Sequence, residues 1–282
     1  MGELVKEWIA ELRKLTKIAK GEPQAAYSSF TSGFKHKMTY FVRTLPHVEE
    51  IIADLDKVID QEFIPAITEG HVCSDDERKL LSLPVRLGGL GIPIFSEICS
   101  REFSASNRIT EQLTDSIVNQ RIRFDLDQNS QKKTESAIKK ERVECQQLLL
   151  TDLRSRMSIE QVRANDLTQL KGASAWLNAL PLKDEGYRLT KREFFDAVAL
   201  RYRWPMKRLP NNCSCTKKPA FEPDHAMNCL TGGFIHRRHN GIRDIVAQIM
   251  KDVTYDVSTE SLLEPVIVDN LAAEQILTKK QG

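Results

Sequence analysis

Apolar residues recur along most of this chain at intervals of three and four, the period of a helix that buries one face. Leu4, Trp8, Leu12 and Leu15 predict a helix over residues 3–20, closed by Gly21 and Pro23. Residues 25–42 continue in the same period, with Tyr27, Phe30, Phe34, Tyr40 and Phe41 set among Lys35, His36, Lys37 and Arg43. Rings interleaved with cations can stack on bases, but at helical spacing they are expected to be core. Val48, Ile51, Ile52, Leu55, Val58, Ile59 and Phe63 line one face of a third helix over 46–63, before Pro65 and Gly70. Ser74 and Glu77 have the spacing of a capping box, opening a short helix that stops at Pro84. The stretch LPVRLGGLGIP, residues 83–93, has neither GxGxxG nor a Walker lysine. Its glycines are expected to let backbone pack closely or turn.

Further helices are expected over 96–109, continued by or adjoining 110–124. Residues 127–147 are polar with mixed charge and predict a solvated helix, and 148–157 regain apolar content. Ser158 and Gln161 can cap the next helix. Trp176 anchors the short apolar run 174–182, ended by Pro181, and Thr190 can cap a helix over 189–203 that buries Phe194, Phe195 and Val198. Ile242, Ile245, Val246 and Ile249 mark a last helix over 238–251. Val253, Tyr255 and Val257 alternate and predict a short strand, and the polar residues from Asn270 are expected to fray. The fold class is mainly α: a helical bundle over 1–125, a helical connector over 126–210, a small module over 211–265 and a polar tail over 266–282.

Composition is that of a globular protein, 41% hydrophobic and 28% charged in 282 residues with a net charge of +2. The charge is uneven. Between Arg201 and Arg243 nine Lys/Arg (201, 203, 207, 208, 217, 218, 237, 238, 243) face only Glu222 and Asp224, which points to a phosphate-bearing partner such as RNA or DNA. No apolar run approaches a membrane span, and the acid-bearing start is not a secretory signal. Cys73, Cys99 and Cys145 are scattered singly, so a reducing, intracellular setting, nuclear or cytoplasmic, is expected.

Chemistry concentrates in residues 211–240, which hold three of the six cysteines and three of the six histidines. Cys213, Cys215, His225 and Cys229 supply three thiolates and one imidazole, a complete tetrahedral set for Zn2+. His225 and Cys229 are four apart, the spacing of one helix face. Only Ser214 separates the first pair, closer than zinc knuckles usually allow. His239 is an alternative ligand, and His236 a more remote one. Lys217, Lys218, Arg237, Arg238 and Arg243 are the candidate phosphate contacts, and Phe234 a candidate stacking ring.

At residues 83–93 the chain resembles the reverse transcriptases of non-long-terminal-repeat retrotransposons, in which Leu-Pro and Gly-Gly-Leu-Gly follow the helical thumb. The Trp8 helix, PQAAYSSFTSGFKHKMTYFVRT and Phe63-Ile-Pro65 resemble that thumb. SAWLNALPL, LRYRWPMKRLPNNCSC, DHAMNC and RHNGIRD resemble the segment after the polymerase, where a Cys/His knuckle lies. The resemblance spans about residues 1–265 and implies a thumb-like first domain and a zinc-binding module. There are departures. The Tyr/Phe-x-Asp-Asp turn that holds the polymerase metals is missing, and Asp75-Asp76 reads as a helix cap. An Asp with a following Glu-x-Lys, as an endonuclease needs, is missing too, since Glu274 has Ile276 two residues on. The resemblance therefore implies a nucleic-acid-binding part of such a polyprotein with no catalysis of its own. Two other readings stand beside it. One is a metal-dependent nuclease built on His239-Asn240. The other is an inert or host-recruited protein-interaction remnant, with the polar helix and the Trp176 cluster as its contact surfaces.

Overall fold

The computed structural model describes residues 2–120, 127–207, 209–215, 221–231 and 234–259. It is mainly helical, with no strand among the described residues. Two compact units divide the chain, one through Lys207 and one from Arg208.

In the first unit α1 (Gly2–Ala19) buries Val5, Trp8 and Leu12, as its spacing predicts. After Gly21 the chain runs through α2 (Pro23–Ser29), a π-turn (Phe30–Phe34) and α3 (Lys35–Thr44) without leaving helical backbone. The third predicted helix is likewise interrupted: α4 (Glu49–Val58) widens into a second π-turn (Ile59–Phe63) before the short α5 (Ile64–Ile67). Each π-turn contributes a fully buried ring, and the two rings, Phe30 and Phe63, stack at 4.8 Å. Such a pair adds about 1 kcal/mol beyond the area it buries. The aromatics of 25–42 divide. Tyr27 and Phe30 are core, Phe34 and Phe41 pack at its edge, and Tyr40 stays exposed. Their neighbouring cations are engaged, Lys37 by Glu11 and Arg43 by the buried Glu102, which Arg142 also holds.

Capping boxes form at all three predicted caps, Ser74, Ser158 and Thr190. Ser74–Glu77 opens α6 (Asp75–Ser82), Ser158–Gln161 opens α9 (Ile159–Gln169), and Thr190–Glu193 opens α11 (Lys191–Tyr202). Between them lie α7 (Phe95–Val118), α8 (Gln128–Arg156) and α10 (Ala175–Asn178). α7 runs unbroken through residue 110. The polar stretch and the apolar one after it are a single helix, α8, which buries only Ile138, Leu150 and Leu153. α7 has no capping side chain of its own. Instead the buried Asp56 of α4 accepts the Phe95 and Ser96 amides at 2.9 and 2.8 Å and the Ser96 hydroxyl at 2.7 Å. Burial raises the Asp56 carboxyl above its usual range, against the pull of those donors and Arg78.

The glycine stretch is a loop folded back onto α6. The amides of Leu90 and Ile92 donate to the Leu81 carbonyl, and that of Gly91 to Leu83. Gly88 sits at φ +91°, and a Cβ on Gly89 would lie 1.9 Å from the Leu83 carbonyl oxygen. Side chains from four helices satisfy the loop's own carbonyls. Tyr27 donates to Leu90, Arg78 to Ile92 and Pro93, Asn165 to Leu87, Arg201 to Val85 and Gly89, and Tyr202 to Gly88. The expectation of close backbone packing is met, and the glycines are needed for it.

The second unit contains α12 (Pro223–Asn228) and α13 (Phe234–Lys251), which pack on each other. The strand expected over 253–257 does not form. Its three apolar side chains find no neighbouring strand to pair with, and the segment leaves α13 in turns. No helix among the described residues is long and apolar enough to cross a membrane. The tail from Asn270 lies outside the described residues.

Gly89→Ala should lower unfolding stability by about 3 kcal/mol or more, because backbone rather than a movable side chain blocks the new methyl. Gly33→Ala, which meets nothing within 4 Å, should change it by no more than about 1 kcal/mol. Urea unfolding of the two variants checks both.

Candidate metal centre

Asn211 and Phe221 close a loop, the Phe221 amide donating to the Asn211 carbonyl at 3.1 Å. Cys213 and Cys215 stand on its first limb. The second limb leads directly into α12, started by Pro223 at its first position. His225 lies on α12. Cys229 follows the last turn with extended backbone, so the two share a site although the helix does not carry both.

The structure brings Cys213, Cys215, His225 and Cys229 together, with one ligand atom of each within 4.8 Å of the others. The Sγ atoms of Cys213 and Cys229 are 3.7 Å apart, and Cys215 Sγ is 3.7 Å from His225 Nε2. A tetrahedron with metal–sulfur bonds of about 2.3 Å has sulfur–sulfur edges of about 3.8 Å and a sulfur–nitrogen edge of about 3.6 Å. The four donors could therefore hold a metal ion with little rearrangement. The single-residue gap at Ser214 does not prevent this, because the Cys213 and Cys215 donors pair with different atoms across the loop. His239 and His236 are exposed on α13 and belong to no such group.

Backbone hydrogen bonds prepare the sulfurs. At Cys213 one from Cys215 acts to lower the thiol, but desolvation and the nearby sulfurs outweigh it and the thiol sits above its ordinary value. At Cys229 one from Thr231, with side-chain help from Cys213, holds the thiol below the ordinary value. The pair is thus polarised, with Cys229 the readier thiolate. Arg238 donates to the Met227 carbonyl at 2.8 Å and so braces α13 against the helix that carries His225. Arg243 is paired with Asp244 at 2.8 Å. Arg237 lies exposed on α13, while Lys217, Lys218 and the Phe234 ring lie outside the described residues.

A second group, His71, Cys73 and Glu77, is hidden in the sequence because Glu77 reads there as part of the capping box. Its donors also lie within 4.8 Å of one another. They are occupied with each other and with the fold. Glu77 accepts from the Ser74 amide at 2.8 Å and from Trp204 Nε1 at 2.5 Å, and His71 Nε2 lies 3.3 Å from both its oxygens. Burial and the Glu77 charge push the Cys73 thiol up to about 12, so it stays protonated at neutral pH. A neutral thiol and a saturated carboxylate make a poor ligand set beside the three sulfurs of the second unit.

No family model, curated protein or solved structure matches the chain.

With metal bound, Cys213, Cys215 and Cys229 should resist alkylation at neutral pH while the exposed Cys145 reacts. A chelator should release all three. Protection should also fall on acidification, since protons compete with the metal for the thiolates. Mass mapping of the alkylated cysteines reads each outcome.

Proposed function

We propose that this chain is a retroelement-derived nucleic-acid-binding protein, corresponding to the thumb and Cys/His segment of a non-long-terminal-repeat reverse transcriptase. In this reading Zn2+ occupies the four-donor centre, and RNA or DNA is the partner. The observation that carries it is the convergence of Cys213, Cys215, His225 and Cys229 at tetrahedral spacing. Zinc fits best because three thiolates and one imidazole are soft-to-borderline ligands with no oxygen among them.

The metal has a structural task here. α12 is six residues long, far too short to persist unaided in water. The ion ties α12 to the 213–215 limb; Lys217 and Lys218 lie between these ligands in sequence, and Arg237 lies on α13, which packs on α12. Cations held on a fixed surface contact phosphates, giving affinity that depends on salt and little on sequence. All four donor positions are protein side chains, so the ion keeps no open position for a substrate. That is the arrangement of a structural zinc rather than a catalytic one.

The Lys217→Ala/Lys218→Ala/Arg237→Ala variant should bind single-stranded RNA more weakly. Its plot of log affinity against log salt should flatten by about 2 units, at about 0.7 for each phosphate that is no longer neutralised. Arg238 is kept in this variant because it braces α12. Fluorescence anisotropy across a salt series measures the slope, and an unaltered slope would remove the basic surface from the interface.

A further inference from the structure

Among the described side chains of α13 only Ala247 is buried. At about 100° per residue, the apolar stripe of the helix is centred roughly 150° round from it. That stripe consists of Ile242, Ile245, Val246 and Ile249, which are 59%, 63%, 53% and 59% exposed. Met250 and Val253 extend it and are exposed too. Ile235, Ile242 and Ile249 recur every seven residues, with Ile245 and Val246 between the last two. That is the spacing of a helix that lies along another helix. Six such side chains leave roughly 100 Å² of apolar surface each in water, about 600 Å² together. This is the upper end of what a monomer leaves in one patch, and patches of that size mark interaction sites.

The two ends of the stripe carry opposite charge. Arg238 borders its start, and Asp252 follows its end on the same side of the helix, with Asp256 beyond. A parallel pair of these helices would set Arg238 against Arg238 and Asp252 against Asp252. An antiparallel pair centred between Ile245 and Val246 reverses this. Ile242 of one copy then meets Ile249 of the other, and Arg238 meets the Asp252–Val253 end. The twofold repeats each contact, and the helix dipoles oppose each other.

We propose that the chain forms an antiparallel homodimer through this stripe of α13. Covered in both copies, the six side chains account for about 1,200 Å², the lower end of a stable interface, and the bordering charges add to it. An area of this size suits an affinity of about micromolar. A membrane surface suits the stripe less, since Asp252 and Asp256 sit at one of its ends. The dimer does not rest on the metal centre or on nucleic-acid binding, and it stands or falls separately from them.

Sedimentation equilibrium of the full chain, from about 1 to 200 µM, tests the proposal. The mass should rise to that of two chains across this range. Ile242→Glu/Ile249→Glu places unpaired charges in the contact and should weaken association at least about thirty-fold. Asp252→Lys alters only an exposed position. It should weaken the dimer about three-fold or more at low salt, an effect that fades as salt rises; a parallel pair would not respond in this way. A chain that stays monomeric at 200 µM would overturn the proposal and give the stripe to another occupant, such as residues 260–282. A dimer that survives Ile242→Glu/Ile249→Glu, or one indifferent to Asp252→Lys at low salt, would overturn it equally.

Discussion

Five side chains, Tyr27, Arg78, Asn165, Arg201 and Tyr202, place their polar ends on the carbonyls of one buried loop, residues 85–93. A backbone carbonyl taken from water without a partner costs about 1–3 kcal/mol, and this loop has few neighbours of its own kind to pair with. The donors come from four separate helices. Meeting the loop's demand therefore draws α2, α6, α9 and α11 around it. The apolar core lies beneath the same elements, so packing and polar pairing select one arrangement. The glycines make it feasible: without Cβ atoms at 88 and 89 the loop can approach α6 and Asn165 closely enough for the donors to reach.

The same rule, that buried polar atoms must be partnered, governs the second unit with different material. Little apolar surface is gathered there. Among the described residues only Cys213, Cys229 and Ala247 of that unit are buried hydrophobics, while Ile242, Ile245, Val246 and Ile249 on α13 remain exposed. Two of the three core positions are thus sulfurs. A segment with so small a core needs another source of cohesion, and small modules commonly use disulfides or metal. Three sulfurs and an imidazole within 4.8 Å of one another could supply the second.

Much of this is legible in the sequence. The helical period over 3–20 and the three Ser/Thr–Glu/Gln boxes need only local chemistry, and each stands where its spacing puts it. The four donors are legible as a set because residue type and proximity in sequence suffice. Their pairing across the loop is not. What fails depends on partners far away in sequence. A strand over 253–257 needs a neighbour, and alternation alone does not create one. The π-turns at 30–34 and 59–63 each carry one ring of the Phe30–Phe63 stack, a contact that no local pattern records. Arg201 reads as a surface cation in a basic stretch, yet it is a buried donor to a loop more than a hundred residues earlier. Asp56 capping α7 from α4 is hidden for the same reason.

The functional reading depends on whether the four donors hold an ion in the protein as it is made. Native mass spectrometry of the purified chain, beside Cys229→Ser and Cys73→Ser, measures this directly. One zinc per chain, lost in Cys229→Ser and kept in Cys73→Ser, is the predicted result. A metal-free chain, or zinc retained in Cys229→Ser and lost in Cys73→Ser, would contradict it.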